Sequence, residues 1–289
     1  MKKRVVSLLL ALVMLTSLLP TAVWAEDAYS VAPDSETQDV RQEQDKQDEQ
    51  EKQEQEKSEE QDDPALVQQP MLAAAMPAAA PPQGAGTATE PYRISTADEL
   101  AWLAQEVNAG RGASCNAVLC NDIDLKNEEW TPIGKNSSYA YKDTFDGAGY
   151  TVKGLNITGT AKQNCGLFGY VSGGVVKNLT VQGTITLTGS GSSSYGAGGI
   201  VGRLDGTEGS VQNCCSDVMV TGGQNVGGIV GYVSGGYSTA TKSITGCVNT
   251  GRITSNDNNA GGIVGYISGQ VTVDSCYNRG TVVGGRWRA

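Results

Sequence analysis

A glycine-bracketed apolar unit that returns four times constrains this chain more than any other feature: Gly166-Leu-Phe-Gly169, Gly199-Ile-Val-Gly202, Gly228-Ile-Val-Gly231 and Gly262-Ile-Val-Gly265. The starts lie 33, 29 and 34 residues apart. The last three follow a further glycine (Gly198, Gly227, Gly261), where the first follows Cys165. A period of this size marks a stack of coils, each unable to bury its apolar face alone. Unequal spacing argues against a propeller and leaves a sandwich of hairpins as the alternative.

A second half-repeat sets the register. Val176, Val211, Ile244 and Val273 form one column. Three residues later come Leu179, Cys214, Cys247 and Cys276, and six further on Ile185, Val220, Ile253 and Val282. Apolar residues in register are what a β-helix requires, because each position stacks about 4.8 Å above its predecessor. The expected fold is therefore all-β, a right-handed parallel β-helix. Asn249 and Asn278 precede Gly251 and Gly280 by two residues, which reads as a turn through backbone conformations that other side chains resist. The stretches from Gly189 to Tyr195 and from Gly235 to Lys242 read as insertions projecting from a corner.

Upstream of the repeats, Thr96 with Glu99 has the spacing of a capping box. Leu100, Leu103, Ala104 and Val107 follow at helical period and stop near Gly110. This predicts one helix that covers the open end of the stack, since a terminal coil needs an atypical cap. Asp122-Ile-Asp124, Trp130 to Gly134, Phe145 to Gly149 and Tyr150 to Ile157 read as the first, irregular coils, with Lys135 to Lys142 as a loop extruded from one of them.

The N-terminal third differs in kind. Met1-Lys-Lys-Arg4, an uncharged run from Val5 to Leu19 and Val23-Trp-Ala25 are the parts of a signal peptide cleaved after Ala25. The run is shorter than a bilayer helix wants, so an uncleaved anchor is the weaker alternative and no membrane span is expected in the mature chain. Residues 26–90 read as a spacer. From Asp34 to Asp63 it holds 14 acidic and 4 basic residues among glutamines, a composition with little to bury. From Pro64 to Glu90 it is built of alanine, proline and glutamine. The chain's formal charge of -10 sits in the acidic stretch, and the expected folded region, residues 91–289, has no basic patch for nucleic acid. The C-terminal Gly284-Gly-Arg-Trp-Arg-Ala289 follows a strand-like segment without a closing cap, so the expectation is a truncated product whose missing part carries any anchor.

Reactive chemistry is sparse. The chain contains no histidine, which removes Ser-His-Asp and Cys-His arrangements, and its seven cysteines lack zinc-site spacing. No cofactor motif occurs: Gly-Gly-Ile-Val-Gly lacks the lysine and hydroxyl residue of a phosphate loop. Cys214, Cys247 and Cys276 read as inward, buried free thiols. Pairing of Cys214 or Cys215 with Cys247 is the alternative, and a Cys115–Cys120 bond stays open. Asp122, Asp124, Asp146, Asp217 and Asp274 are the acids a carbohydrate-cleaving β-helix could use, but that chemistry needs two carboxyls about 5–9 Å apart, and Asp217 and Asp274 share no column. Tyr170, Arg203, Tyr232 and Tyr266 do share one, just past each glycine start. This column reads as an outward stripe, either a ligand contact or cross-strand support.

At the four glycine units, with Asp122-Ile-Asp124, Trp130-Thr-Pro-Ile-Gly134 and Thr144 to Gly149 before them, the chain resembles the GLUG-motif family of bacterial cell-surface proteins from about Tyr92 to Gly285. The resemblance implies a repeat fold found in adhesin-like and biofilm-associated proteins and beside the catalytic part of some secreted immunoglobulin A peptidases. No peptidase motif is present here. The expectation is a noncatalytic, secreted or cell-surface scaffold and adhesion module, binding a host, matrix or cell-wall protein or glycan. A carbohydrate-active β-helix enzyme is the alternative.

Overall fold

The computed structural model describes residues 81–112, 114–160, 162–189, 195–234 and 242–285. The expected signal peptide, the acidic spacer and parts of both insertions lie outside the described residues. The described chain is a right-handed parallel β-solenoid with one N-terminal helix. Its coils lay down sheets of seven, eight, three and four strands.

The apolar columns read from the sequence are the rungs of this stack. Val176, Val211, Ile244 and Val273 pair in register, and Phe145 extends the column toward the N-terminus. Ile185, Val220, Ile253 and Val282 likewise pair directly. Each column is fully buried as far as Ile244 and Ile253, whereas Val273 and Val282 in the last described coil are 41% and 38% exposed. Alternation along each strand thus sends one set of apolar side chains inward per coil, and the next coil covers them.

The repeated glycines make room for neighbours. A Cβ on Gly199 would lie 2.0 Å from Ser216 Oγ, on Gly228 2.4 Å from Asn249 Cγ, and on Gly262 2.3 Å from Asn278 Cγ. The glycine that opens each of these units therefore vacates the volume for an inward polar side chain one half-repeat later in the same coil. The next coil closes on Gly228 as well, a Cβ there lying 2.1 Å from Gly262 O, and the closing glycines Gly169, Gly202, Gly231 and Gly265 lie against backbone segments, with a Cβ 2.3–2.6 Å from the nearest backbone atom.

Gly251 and Gly280 differ from the turn reading: neither has positive φ. Their constraint is close approach, because a Cβ would fall 2.0 Å from Val218 O and 1.9 Å from Gly251 O. The left-handed corners are held by two other columns, Asn164, Gly196, Asn225 and Asn259, and Asn178, Asn213, Gly246 and Ser275. Asparagine tolerates that conformation better than most residues. Here it also bonds up the stack, from Asn259 Nδ2 to Asn225 Oδ1 at 2.8 Å.

Helix α1 (Ala97–Ala109) has the expected capping box between Thr96 and Glu99 and ends at Gly110 in the left-handed conformation. It buries Leu100, Leu103, Ala104 and Val107. Two expectations near this end are corrected. The folded region begins before Pro91: Gly86 O accepts bonds from Asn116 N and Ser114 Oγ, and Arg93 N bonds to Gln83 O. Glycines at 84 and 86 with positive φ let this short stretch return to the sheet edge despite its polar composition. Nor is Lys135 to Lys142 simply extruded. Asn136 caps a 3₁₀ turn over Ser137–Tyr139, and Tyr141 plunges inward, 1% exposed, with its hydroxyl donating to Cys115 O at 2.9 Å.

Lys242 is an exception to the apolar interior. It sits in register with Gly209 and Val271, two residues before inward Ile244, and is fully buried. Among the described residues its Nζ meets no hydrogen-bond partner. An unpaired buried polar group costs free energy that an apolar side chain of similar length avoids. Lys242→Met is therefore expected to raise the unfolding free energy by about 1–3 kcal/mol, read as a higher urea midpoint at unchanged slope.

Candidate functional site

The four-stranded sheet, Phe168–Ser172, Val201–Asp205, Val230–Ser234 and Val264–Ser268, brings Tyr170, Arg203, Tyr232 and Tyr266 into direct register. Val171, Leu204 and Val233, the next residues along their strands, are fully buried, which leaves this column on the opposite, outer face. The Arg203 guanidinium lies between two rings, 5.2 Å from Tyr170 and 4.7 Å from Tyr232. Tyr232 and Tyr266 stack with centroids 5.5 Å apart and planes 7° from parallel.

Two members of the stripe were not legible as such in the sequence. Tyr195 reads there as the end of an insertion, yet it opens the strand Tyr195–Gly198 and packs on Tyr232 at 5.2 Å. It stands three residues before the extra glycine, in register with Gln224, so no repeated tyrosine marked it. Asp205 accepts from Arg203 Nη2 at 2.9 Å, from Gly206 N at 2.7 Å and from the Tyr170 hydroxyl. Its position two residues beyond Arg203, on the same strand face, was the available signal.

These contacts divide the stripe. Tyr170 is 8% exposed; burial, then its bond to Asp205, pushes its hydroxyl up to about 12. Burial alone would raise the Asp205 carboxyl, but hydrogen bonds from Tyr170, Gly206 and Arg203 hold it below its ordinary value. Tyr170 and Asp205 thus fix Arg203 from one side. Arg203, Tyr195, Tyr232 and the 44% exposed Tyr266 form the accessible part, with apolar ring area, hydroxyls and one guanidinium.

Each of the carboxylates considered for hydrolysis is engaged by a neighbouring hydrogen-bond donor or lysine. Asp122 accepts from Thr151 N at 2.8 Å, Asp217 from Thr250 Oγ1 at 3.0 Å, and Asp274 from Ser275 Oγ at 3.1 Å. Asp124 and Asp146 pair with the lysines beside them on the next coil, Lys153 at 3.3 Å and Lys177 at 3.2 Å. The backbone N–H of Lys126 chiefly holds Asp124 below its ordinary value. At Asp146 burial opposes the same shift, and Asn178, the Ala148 N–H and Lys177 outweigh it.

A pH dependence follows. Groups held low when folded contribute stability that is present above their unfolded values, near 4, and is lost as pH falls through the folded ones. The melting temperature is expected to change little from pH 7 to about 5 on this account and to drop below about 4. Asp146→Asn should shrink that acid-side drop, as followed by circular dichroism.

The seven cysteines are free. In the three-rung column Cys214 and Cys247 are buried and Cys276 is partly so, each thiol turned to the carbonyl two residues before it at 3.3–3.4 Å. Burial raises the Cys115 and Cys165 thiols to about 11 and about 12, which makes them poor nucleophiles. Among the described residues no group of three or more histidine, cysteine, aspartate or glutamate side chains could hold a metal ion, and no helix is long and apolar enough to cross a membrane.

No family model matches the chain. It is 29% identical over 161 residues, 53% of its length, to halomucin of Haloquadratum walsbyi. It is 34% identical over 130 residues, 43% of its length, to a protein of Evansella cellulosilytica provisionally named a Gly-rich membrane protein. These matches span 2% and 14% of the two relatives' own lengths. A solved structure, provisionally assigned as an immunoglobulin A1 protease from Bacteroides ovatus, aligns over 68% of each chain at 21% identity and a TM-score of 0.49. The chain is thus similar to short stretches of much longer proteins, and its repeat-built β-solenoid is consistent with surface-repeat protein families.

Proposed function

We propose that this chain is a noncatalytic extracellular or cell-surface scaffold and adhesion module of the GLUG-motif kind, whose outer stripe touches a host, matrix or cell-wall protein or glycan. One observation carries the reading: Arg203, Tyr195, Tyr232 and Tyr266 share a continuous, rigidly supported outer face. Aromatic rings with hydroxyl tips offer contact area at little conformational cost, and arginine adds a planar donor. Similarity to proteins named as a halomucin and a membrane protein supports placement outside the cell. The competing reading is a carbohydrate-active enzyme, a polysaccharide hydrolase or lyase, and in its hydrolase form it needs a carboxylic acid held protonated near neutrality. The shifts resolved at Asp124, Glu129, Asp146 and Asp205 all run the other way.

The test is binding of the purified chain to protein and glycan arrays, beside a Tyr195→Ala/Arg203→Ala/Tyr232→Ala/Tyr266→Ala variant checked for unchanged circular dichroism. Binding that the variant loses is the expected result. Binding that the variant retains, or no binding at all, overturns the role of the stripe. Degradation of a polysaccharide by the parent chain would overturn the noncatalytic reading.

A further inference from the structure

Two rings of the same face have a chemistry that contact with a ligand does not require. We propose that Tyr232 and Tyr266 form an oxidative cross-linking site, at which their rings join through a carbon–carbon bond ortho to the hydroxyls and staple two successive coils together. The backbone ladder holds the two residues in direct register, and the rings lie 5.5 Å apart and 7° from parallel. Such an arrangement holds the two phenol rings face to face on adjacent rungs, so radicals formed on them meet within one chain. Reagents can reach the pair, since Tyr266 is 44% exposed and Tyr232 partly so.

The surroundings favour this pair over other tyrosines. Tyr195 packs on Tyr232 at 5.2 Å and hydrogen-bonds with it, so an oxidised Tyr232 has a second ring with which to exchange an electron and a proton. Arg203 stands between Tyr232 and Tyr170, and the Tyr170 hydroxyl is committed to Asp205. That buried ring is set apart from the cluster.

The oxidant is a peroxide acting through a one-electron peroxidase. Each phenol gives up one electron and one proton, and the two phenoxyl radicals couple at their ortho carbons. Enolisation then moves each displaced ring hydrogen to its oxygen and restores both aromatic rings and both hydroxyls. The net loss of two hydrogen atoms reduces one hydrogen peroxide to two waters.

The experiment treats the dilute purified chain with a haem peroxidase and hydrogen peroxide, digests it with trypsin and analyses it by mass spectrometry. Cleavage at Arg203, Lys242, Arg252 and Arg279 places Tyr232 and Tyr266 on separate peptides, 204–242 and 253–279. The expected product is these two peptides joined, two hydrogen masses below their sum, in a chain that still runs as a monomer on a denaturing gel. Each of those peptides holds a second tyrosine, Tyr237 and Tyr277, so Tyr232→Phe and Tyr266→Phe are each expected to abolish the product, and Tyr277→Phe to leave it. These substitutions keep the ring and the fold. The product surviving in either of the first two variants, appearing only between chains, or failing to form overturns the proposal.

Discussion

Phe168→Ala should lower the unfolding free energy by about 3–5 kcal/mol, the range for emptying a buried aromatic site. Phe168 is 0% exposed and sits among rings contributed by two other segments, with Tyr141 and Phe145 each at 5.1 Å. Neither neighbour can readily fill the hole. Tyr141 is held by its hydroxyl on Cys115 O, and Phe145 by its rung pairing with Val176. At the equivalent place in the following coils stand Val201, Val230 and Val264, so the larger ring is matched to the aromatic filling that the 135–142 segment brings in. Urea denaturation checks the value, and Phe168→Leu should cost clearly less because most of the volume remains.

The second large effect is expected at Gly251. Changing it to alanine adds one atom 2.0 Å from the carbonyl oxygen of Val218. Backbone cannot rotate away as a side chain can, so the two rungs must part. The cost expected is about 3 kcal/mol, the upper end of ordinary overpacking, which for a chain of this size lowers the melting temperature by roughly 6–12 °C. Gly149 is the contrasting position, with φ +85° and nothing within 4 Å of an added Cβ; Gly149→Ala meets only the backbone penalty of about 1–2 kcal/mol. A solenoid is stabilised by contacts between neighbouring coils. Amide exchange in Gly251→Ala should therefore quicken in the strands after it, Ile253–Ser255 and Val282–Val283, while α1 keeps its protection.

The contrast shows what the sequence could disclose. Columns such as Val176 to Val273 and Tyr170 to Tyr266 were readable because each residue has counterparts one coil away, and repetition supplied the alignment that a single strand lacks. The capping helix was readable because its signals are local. Tyr141 and Tyr195 have no repeated counterpart, so nothing ranked either above the polar residues around it, and only tertiary packing separates the one that enters the core from a loop tyrosine. Gly251 looked like a turn glycine because sequence shows that a side chain is missing, not whether torsion or a neighbouring atom demands its absence. Asp205 was overlooked for a related reason: its partner Arg203 is the odd member of a tyrosine column, and a search for sameness passes over the pair that breaks it.

The three glycines that clear space for Ser216, Asn249 and Asn278 have a bearing on how such an array lengthens. In each case the vacated space and the side chain that fills it lie within a single coil, 17, 21 and 16 positions apart. A genetic duplication that copies the whole stretch delivers cavity and occupant together, and the new coil seats without repair elsewhere. One that copies only part of a period separates the two and sets an inward polar side chain against an ordinary one. Tandem growth of this array is therefore permitted in whole coils, wherever within the period the copied stretch begins.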